Sequence, residues 1–219
     1  GYGTVISGAG VDVETHVVRG TPYRRINGIA ETVHADLTIV GSRGQSPLEK
    51  RVIGSTARNL ARTTVIPLLV NRVERATDNP EVLREHLFQR ILFATDFSEN
   101  ADRAFEAFSY LRHATEEVTL VHVRSPKDES ADADVSPQDQ LAEHANTLEN
   151  WNIETRIEVR RGDPADEVLA VEAEVTPSTI LVGSRGRSRI RRLLLGSVSE
   201  KLVGQATGNV FLVPPPRAV

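Results

Sequence analysis

Residues 183–197 read GSRGRSRIRRLLLGS, and residues 41–55 read GSRGQSPLEKRVIGS. The two stretches share their glycine spacing and seven of fifteen residues, at an offset of 142 positions. The same offset superposes RGTP at 19–22 on RGDP at 161–164 without a gap. Similarity over about fifty residues is longer than a solenoid unit, so it indicates duplicated domains that share one fold.

Composition excludes several classes of protein. The 219 residues suit two domains, and 39% hydrophobic with 26% charged residues is typical of a folded, soluble chain. A net charge of -4 argues against a nucleic-acid partner, although the basic stretch 185–192 can attract one anion. There is no Cys, and no apolar run reaches the roughly 18 residues of a membrane span. We therefore expect a cytoplasmic location and no membrane contact.

The second copy alternates strands and helices, which implies a largely parallel sheet covered by helices on both faces. Asp163 followed by Pro164 predicts a helix N-cap and first helical residue. The predicted strands are 90–95, 118–123, 154–159, 179–183 and 209–213. The predicted helices are 99–113, a helix through Leu141, Ala145 and Leu148, one from 164 to before Pro177, and 197–206.

The first copy contains only the last part of the same pattern. Its predicted strands are 13–18, 37–40 and 65–70, and its predicted helices are 22–34 and 55–63. The sequence starts at Gly1 and contains no Met, so we expect that the native chain begins earlier and that the first domain is truncated here. Residues 71–87 carry seven charges and Pro80, and they predict a linker with the boundary near 78. The predicted domains are residues 1–77 and 78–219.

The last strand of each copy is apolar and would otherwise be an exposed sheet edge. Pairing between IPLLV at 66–70 and VFLVP at 210–214 would cover both edges. We therefore predict an internal pseudo-dimer of the two domains.

The glycine element has the chemistry of a phosphate site. Gly183 and Gly186 follow a parallel strand, where the absence of a Cβ lets main chain approach a ligand. We expect Ser197 to cap the last helix, with Glu200 completing a capping box, while the helix N-terminus attracts an anion. The alternative is that the glycines only make turns, the serine is only a cap, and the arginines only keep an amphipathic edge soluble.

Three separated motifs resemble the universal stress protein family. They are the spacing G-x2-G-x9-G-S followed by VSEKL at 198–202, ILFATDFSENA at 91–101, and LVHV at 120–123. The resemblance covers residues 88–213 completely and 8–70 as the end of a first domain. It implies an α/β fold of two tandem flavodoxin-like (Rossmann-like) domains, each a five-stranded parallel sheet of order 3-2-1-4-5.

The resemblance also implies that ATP, ADP or AMP binds across the strand ends, and it is compatible with Mg2+ bound beside the nucleotide. Asp96 would contact ribose or adenine, the Val123 backbone would read the base, and the glycine element would hold ribose and phosphates. The alternative for Asp96 is a helix N-cap. The implied nucleotide-binding residues are Ala94, Thr95, Asp96, Val123, Gly183, Arg185, Gly186, Gly196, Ser197, Val198 and Ser199.

The first copy keeps the phosphate half of this pattern and gives a second candidate site. Pro47 and Glu49 replace arginines there, so we expect weaker attraction for a polyphosphate. The residues of the second candidate site are Gly41, Arg43, Gly44, Gly54 and Ser55.

These features favour a stress-response sensor or regulator that binds adenine nucleotide. The alternatives are a weak ATP hydrolase or phosphoryl-transfer enzyme, and a dimerisation scaffold that binds no nucleotide. We identify no catalytic residue and no metal site, because the histidines lack metal-ligand spacing and no nucleophile elbow is present. A homodimer agrees with the resemblance, and the regulatory protein partner is unknown.

Overall fold

The computed structural model describes residues 12–42, 53–72, 87–125, 136–186 and 195–216. The seven strands of this part are β1 Thr38–Gly41, β2 Leu68–Asn71, β3 Arg90–Ala94, β4 Glu117–Arg124, β5 Glu154–Arg161, β6 Thr179–Gly183 and β7 Asn209–Val213. Its helices are α1 Pro22–Thr32, α2 Ser55–Thr63, α3 Glu99–Phe105, α4 Phe108–Leu111, α5 Pro137–Glu149, α6 Pro164–Val175 and α7 Ser197–Gln205.

Helix starts follow local capping chemistry. Ser98 accepts a hydrogen bond from the Ala101 amide, and Ser136 accepts one from Asp139. Asp163 accepts from the amides of Ala165 and Asp166, and Pro164 is the first helical residue, which confirms the predicted start of α6. These side chains satisfy first-turn amides that the helices themselves leave unpaired.

All seven strands form one sheet in the order β1-β2-β7-β6-β3-β4-β5. Every neighbouring pair is parallel except β2 and β7. The second copy therefore has β3 at its centre with β6 on one side and β4 on the other, which confirms the predicted order 3-2-1-4-5. Strand order reverses at β3, and ligands of open parallel sheets bind beyond the strand ends at such a point.

The antiparallel pair of β2 and β7 joins the two copies symmetrically. Leu69 lies opposite Phe211, and these two residues occupy the same position in the repeat. Leu68 pairs with Leu212 and Val70 pairs with Val210, so each flanking pair is the symmetry mate of the other. The junction is self-complementary in the way of a twofold dimer interface, and it confirms the predicted strand pairing.

Buried apolar residues cover both faces of the sheet. One face packs against α1, α2, α6 and α7, with a core that includes Leu60, Leu92, Val171, Ile180 and Leu202. The opposite face packs against α3, α4 and α5 through Phe93, Phe108, Leu141, Leu148 and Phe211. Since β-strand side chains alternate, Val121 and Val123 face the first core while His122 points to the second face.

Two sequence predictions were wrong. Residues 13–18 form no strand and are exposed, and Val17 is 95% exposed. A strand needs a neighbour to accept its backbone hydrogen bonds, and β1 is the last strand on that side of the described sheet. The helix predicted at 99–113 breaks between α3 and α4, where Ala107 and Ser109 donate to carbonyls three residues earlier. The predicted boundary near 78 and all but residues 71, 72 and 87 of the predicted linker fall in residues 73–86, outside the described part.

Candidate functional site

A cleft of about 470 Å³ opens at the carboxyl ends of β3, β4 and β6, between α6 and α7. Its walls are mainly apolar, and polar groups lie at its two ends. The residues that line it are Ala94, Thr95, Asp96, Ala101, Val121, His122, Val123, Pro164, Val168, Val182, Gly183, Arg185, Gly186, Leu195, Gly196, Ser197, Val198 and Ser199. All eleven residues of the predicted nucleotide site are therefore in one cleft.

Gly183 is required by the packing of the loop that follows β6. A Cβ at this position would lie 2.5 Å from Nδ2 and 2.9 Å from the backbone oxygen of Asn100. The same Asn100 Nδ2 donates a hydrogen bond of 3.0 Å to the Arg185 carbonyl oxygen. Asn100, in the first turn of α3, therefore holds the glycine loop against the sheet. This contact could not be predicted from the sequence, because only the fold brings residues 100 and 185 together.

Gly186 has a different neighbour, the carboxylate of Asp96. A Cβ on Gly186 would lie 2.5 Å from Asp96 Oδ2. The other carboxylate oxygen, Oδ1, accepts hydrogen bonds from the Ser98 amide at 3.1 Å and the Ser98 hydroxyl at 2.6 Å. Ser98 is the N-cap of α3, so the alternative reading of Asp96 as that cap is wrong. Asp96 instead extends across the cleft toward the glycine loop.

The N-terminus of α7 lines the cleft beside the glycine loop 183–186. Gly196 is its N-cap, and the Gly196 amide donates to Ser184 O at 2.8 Å. The predicted Ser197 cap is wrong, because Ser197 is already the first helical residue, and no side chain among the described residues caps the helix. The predicted capping box is wrong as well, since Glu200 forms an ion pair with Arg62 of α2. First-turn amides without a side-chain cap, together with the helix dipole, favour an anion here.

Ser199 has a structural contact within this wall. Its hydroxyl donates a hydrogen bond of 2.8 Å to the Gly183 carbonyl oxygen, and the residue is buried. The bond ties α7 to the end of β6, which fixes the helix N-terminus relative to the glycine loop. Its hydroxyl is thus already donated, and its backbone amide belongs to the uncapped first turn.

The end of β4 presents unpaired main chain to the opposite side of the cleft. Val121 O accepts from Thr95 N, next to β3, whereas Arg124 O accepts from Gly162 N, next to β5. In a parallel sheet, alternate residues of a strand bond to opposite neighbours, so the N–H and C=O of Val123, like those of Val121, point toward β3. Val123 lies beyond the last hydrogen bond between β3 and β4. Within the described residues, no backbone group of that side bonds to the Val123 N–H or C=O.

The first copy repeats the phosphate half of the site. Gly54 caps α2 at φ -65° and ψ 151°, and Gly196 caps α7 at φ -62° and ψ 149°. Gly54 N donates to Ser42 O at 2.7 Å, as Gly196 N does to Ser184 O. Ser55, like Ser197, is the first helical residue, and Gly41 ends β1. Arg43 and Gly44 of the second candidate site fall outside the described residues.

Several lining residues were missed by sequence reasoning. Pro164 and Val168 project from the start of α6, and Leu195 precedes the Gly196 cap. The repeated Gly-x-Pro at 20–22 and 162–164 was a signal, because it marks a helix start beside the strand ends in both copies. Ala101 and His122 gave no comparable signal.

Among the residues that the structure describes, no group of three or more His, Asp or Glu side chains is arranged to hold a metal ion. Within the same ranges, no helix is both long enough and apolar enough to cross a bilayer.

Comparison with known proteins relates this fold and cleft to one family. The model of the Universal stress protein family matches residues 4–72 and 87–214. Stress response protein NhaX of Bacillus subtilis is 26% identical over 183 residues, which are 82% of this chain and 98% of the relative. Universal stress protein MJ0531 of Methanocaldococcus jannaschii is 24% identical over 155 residues, 61% of this chain and 86% of the relative.

Solved structures agree with the sequence relatives. A universal stress protein from Archaeoglobus fulgidus superposes with a TM-score of 0.73 at 25% identity, covering 97% of this chain and 75% of that one. A Pseudomonas aeruginosa protein of unknown function, PA1789, shares the fold with a TM-score of 0.70 at 14% identity, covering 98% of this chain and 75% of that one. Since the family model matches most of the sequence in two segments, the chain belongs to the universal stress protein family.

Proposed function

We propose that the second domain, residues 78–219, binds an adenine nucleotide in this cleft and that the chain acts as a nucleotide-responsive regulator in the stress response. The observation that carries the proposal is unpaired main chain at both ends of one apolar cleft. The uncapped first turn of α7 lies at one end, and the Val123 N–H and C=O lie at the other.

The α7 end suits the phosphates. First-turn amides from Ser197 onward have no carbonyl partner within the helix, so they can donate to phosphate oxygens. A Cβ added at Gly196 would lie 3.3 Å from Ser184 O and 3.4 Å from Arg185 Cα, so a larger residue would crowd the loop that borders this end of the cleft. Arg185 lines the same end and adds positive charge. A polyphosphate would therefore be held mainly by backbone.

The opposite end suits adenine. The apolar surface of Val123, Val168 and Val182 can cover the faces of a purine ring. The Val123 N–H can donate to adenine N1 and its C=O can accept from the 6-amino group. Guanine carries a donor at N1 and an acceptor at O6, so both contacts would become repulsive. We therefore expect ATP to bind more tightly than GTP.

Asp96 lies between these ends and suits the ribose. Its Oδ2 faces Gly186 within the cleft, where it can accept from a ribose hydroxyl. Asp96 is the one carboxylate among the described residues that line the cleft, and its Oδ1 already accepts two bonds from Ser98. These residues do not form a protein cage for Mg2+, so a bound Mg2+ would be held chiefly by the phosphates.

Isothermal titration calorimetry with ATP, ADP, AMP and GTP tests the proposal. Wild type should bind the adenine nucleotides and discriminate against GTP. Gly196→Val should weaken binding of ATP by about tenfold or more, since bulk at this position displaces the loop or the phosphate. The matched control is Gly204→Ala in the same helix, where an added Cβ meets nothing within 4 Å. Equal ATP binding by Gly196→Val and wild type would contradict the site.

The alternatives have separate measurements. Phosphate release under saturating ATP would identify a hydrolase, and transfer to an acceptor would identify a phosphoryl-transfer enzyme. A scaffold would bind no nucleotide in the calorimeter. The second candidate site in the first copy predicts weaker binding, which Gly54→Val should remove without changing the tighter site.

A further inference from the structure

The unpaired state of Val123 has a specific cause in the side chains around it. If the parallel ladder between β3 and β4 continued by one rung, Val123 N would donate to Thr95 O, and Val123 O would accept from Phe97 N. Both of those groups have other partners. His122 Nδ1 lies 2.9 Å from Thr95 O, and Phe97 N donates to Thr95 Oγ1 at 3.0 Å.

The His122 contact fixes the tautomer of its ring. A carbonyl oxygen only accepts, so Nδ1 must carry the proton that it donates to Thr95 O. The imidazole is buried and stacks on Phe97, with ring centroids 4.5 Å apart and an interplanar angle of 29°. Phe97 has φ of 55°, a left-handed conformation that a regular strand does not adopt. The hydrogen bond from His122 therefore draws Thr95 O toward the face of the sheet on which the His122 and Phe97 rings stack.

The geometry points to His122 and Thr95 as positioning residues that keep the Val123 N–H and C=O available for the nucleobase. This inference rests on the proposed nucleotide function. The two side chains satisfy the groups that would otherwise close the ladder, so the cleft keeps a donor and an acceptor side by side. Neither side chain needs to touch the base, because each acts through the backbone group it holds.

Variants can separate this role from simple packing. His122→Leu removes the donor, whereas His122→Asn keeps an N–H donor near the position of Nδ1. Thr95→Val removes the hydroxyl at nearly constant volume, whereas Thr95→Ser keeps it. Thr95→Val keeps the test informative if the larger change at His122 prevents folding, and thermal unfolding identifies which variants are folded.

Amide hydrogen exchange, resolved by NMR in the ligand-free full chain, is the first readout. In wild type the Val123 amide should exchange about tenfold or more faster than that of Val121, which is bonded to β3. In His122→Leu it should slow toward the Val121 rate, because the released Thr95 carbonyl can accept from it. The Asn variant should behave like wild type.

Binding is the second readout. His122→Leu and Thr95→Val should each lower affinity for ATP by about tenfold and reduce the preference for ATP over GTP. Binding of inorganic triphosphate, which has no base, should stay unchanged. His122→Asn and Thr95→Ser should restore both ATP affinity and base preference.

Different results would contradict the nucleotide function and the positioning role. If wild type binds no ATP, the proposed function is wrong, and the exchange rates still test the ladder argument. If wild type binds ATP but Val123 is as protected as Val121 without ligand, the positioning role is wrong. Wild-type exchange and ATP affinity in both His122→Leu and Thr95→Val would also overturn it.

Discussion

Gly186→Ala tests whether Asp96 contributes to nucleotide binding without changing Asp96 itself. The new Cβ would lie 2.5 Å from Asp96 Oδ2. The carboxylate must therefore retreat by roughly 1 Å to reach an ordinary contact distance. Oδ2 is the end of a side chain rather than backbone, so the fold can accommodate the change while the oxygen leaves its place in the cleft.

The expected magnitude follows from the hydrogen bond that is lost. A hydrogen bond from a ribose hydroxyl to a carboxylate contributes about 1.5–3 kcal/mol, or roughly tenfold to 150-fold in affinity. Gly186→Ala should approach the loss caused by Asp96→Ala, and the double variant should lose little more than either single one. The cost to stability should stay below about 1 kcal/mol, because the strain is relieved by one rotation.

Calorimetric titration with ATP gives the four affinities of this double-mutant cycle, and urea denaturation gives the stabilities. Gly204→Ala is again the control, since its Cβ meets nothing within 4 Å. Strictly additive losses in the cycle would show that Gly186 does not act through Asp96. Unchanged ATP affinity in Gly186→Ala would refute the placement of the ribose beside this carboxylate.

Three further variants test the fold around the site. Gly183→Ala should destabilise the protein by about 1–3 kcal/mol in urea denaturation, because its Cβ would meet the immobile backbone of Asn100; a wild-type midpoint would contradict this. Leu69→Ala should cost about 2–5 kcal/mol, since Leu69 is fully buried at the junction of the two copies, and a cost below 1 kcal/mol would show that the junction is not a packed core. Burial lowers the pKa of His144 in the folded protein, so the unfolded chain takes up a proton at this residue first as the pH falls below about 6.5. The free energy of unfolding should therefore decrease as the pH falls, and in His144→Phe it should decrease less between about pH 7.5 and 5.5.

The repeat made much of the fold predictable. At an offset of 142, the starts of α1 and α2 in the first copy correspond to those of α6 and α7 in the second. Glycine and proline fix these points through local backbone geometry, which a sequence reveals directly. The buried strands were also predictable, because short apolar runs between helices suit only the interior of a parallel sheet.

What the sequence did not reveal depends on partners distant in the chain. Residues 13–18 match a strand of the second copy in the repeat, but no strand of the described part lies beside β1 on that side to pair with them. Ser197 has the side chain of a cap, yet Gly196 takes that position because its amide bonds to Ser184 O. The contact of Asn100 with the glycine loop, and that of His122 with Thr95, exist only after β3, β4 and β6 have assembled.

A crystal structure of the chain with ATP would show whether backbone amides hold the phosphates. We expect density for ATP in the cleft between β6 and α7, with phosphate oxygens within hydrogen-bonding distance of the Ser197 and Val198 amides and adenine against Val123. An empty cleft at saturating ATP, or a nucleotide bound elsewhere on the second domain, would contradict this expectation.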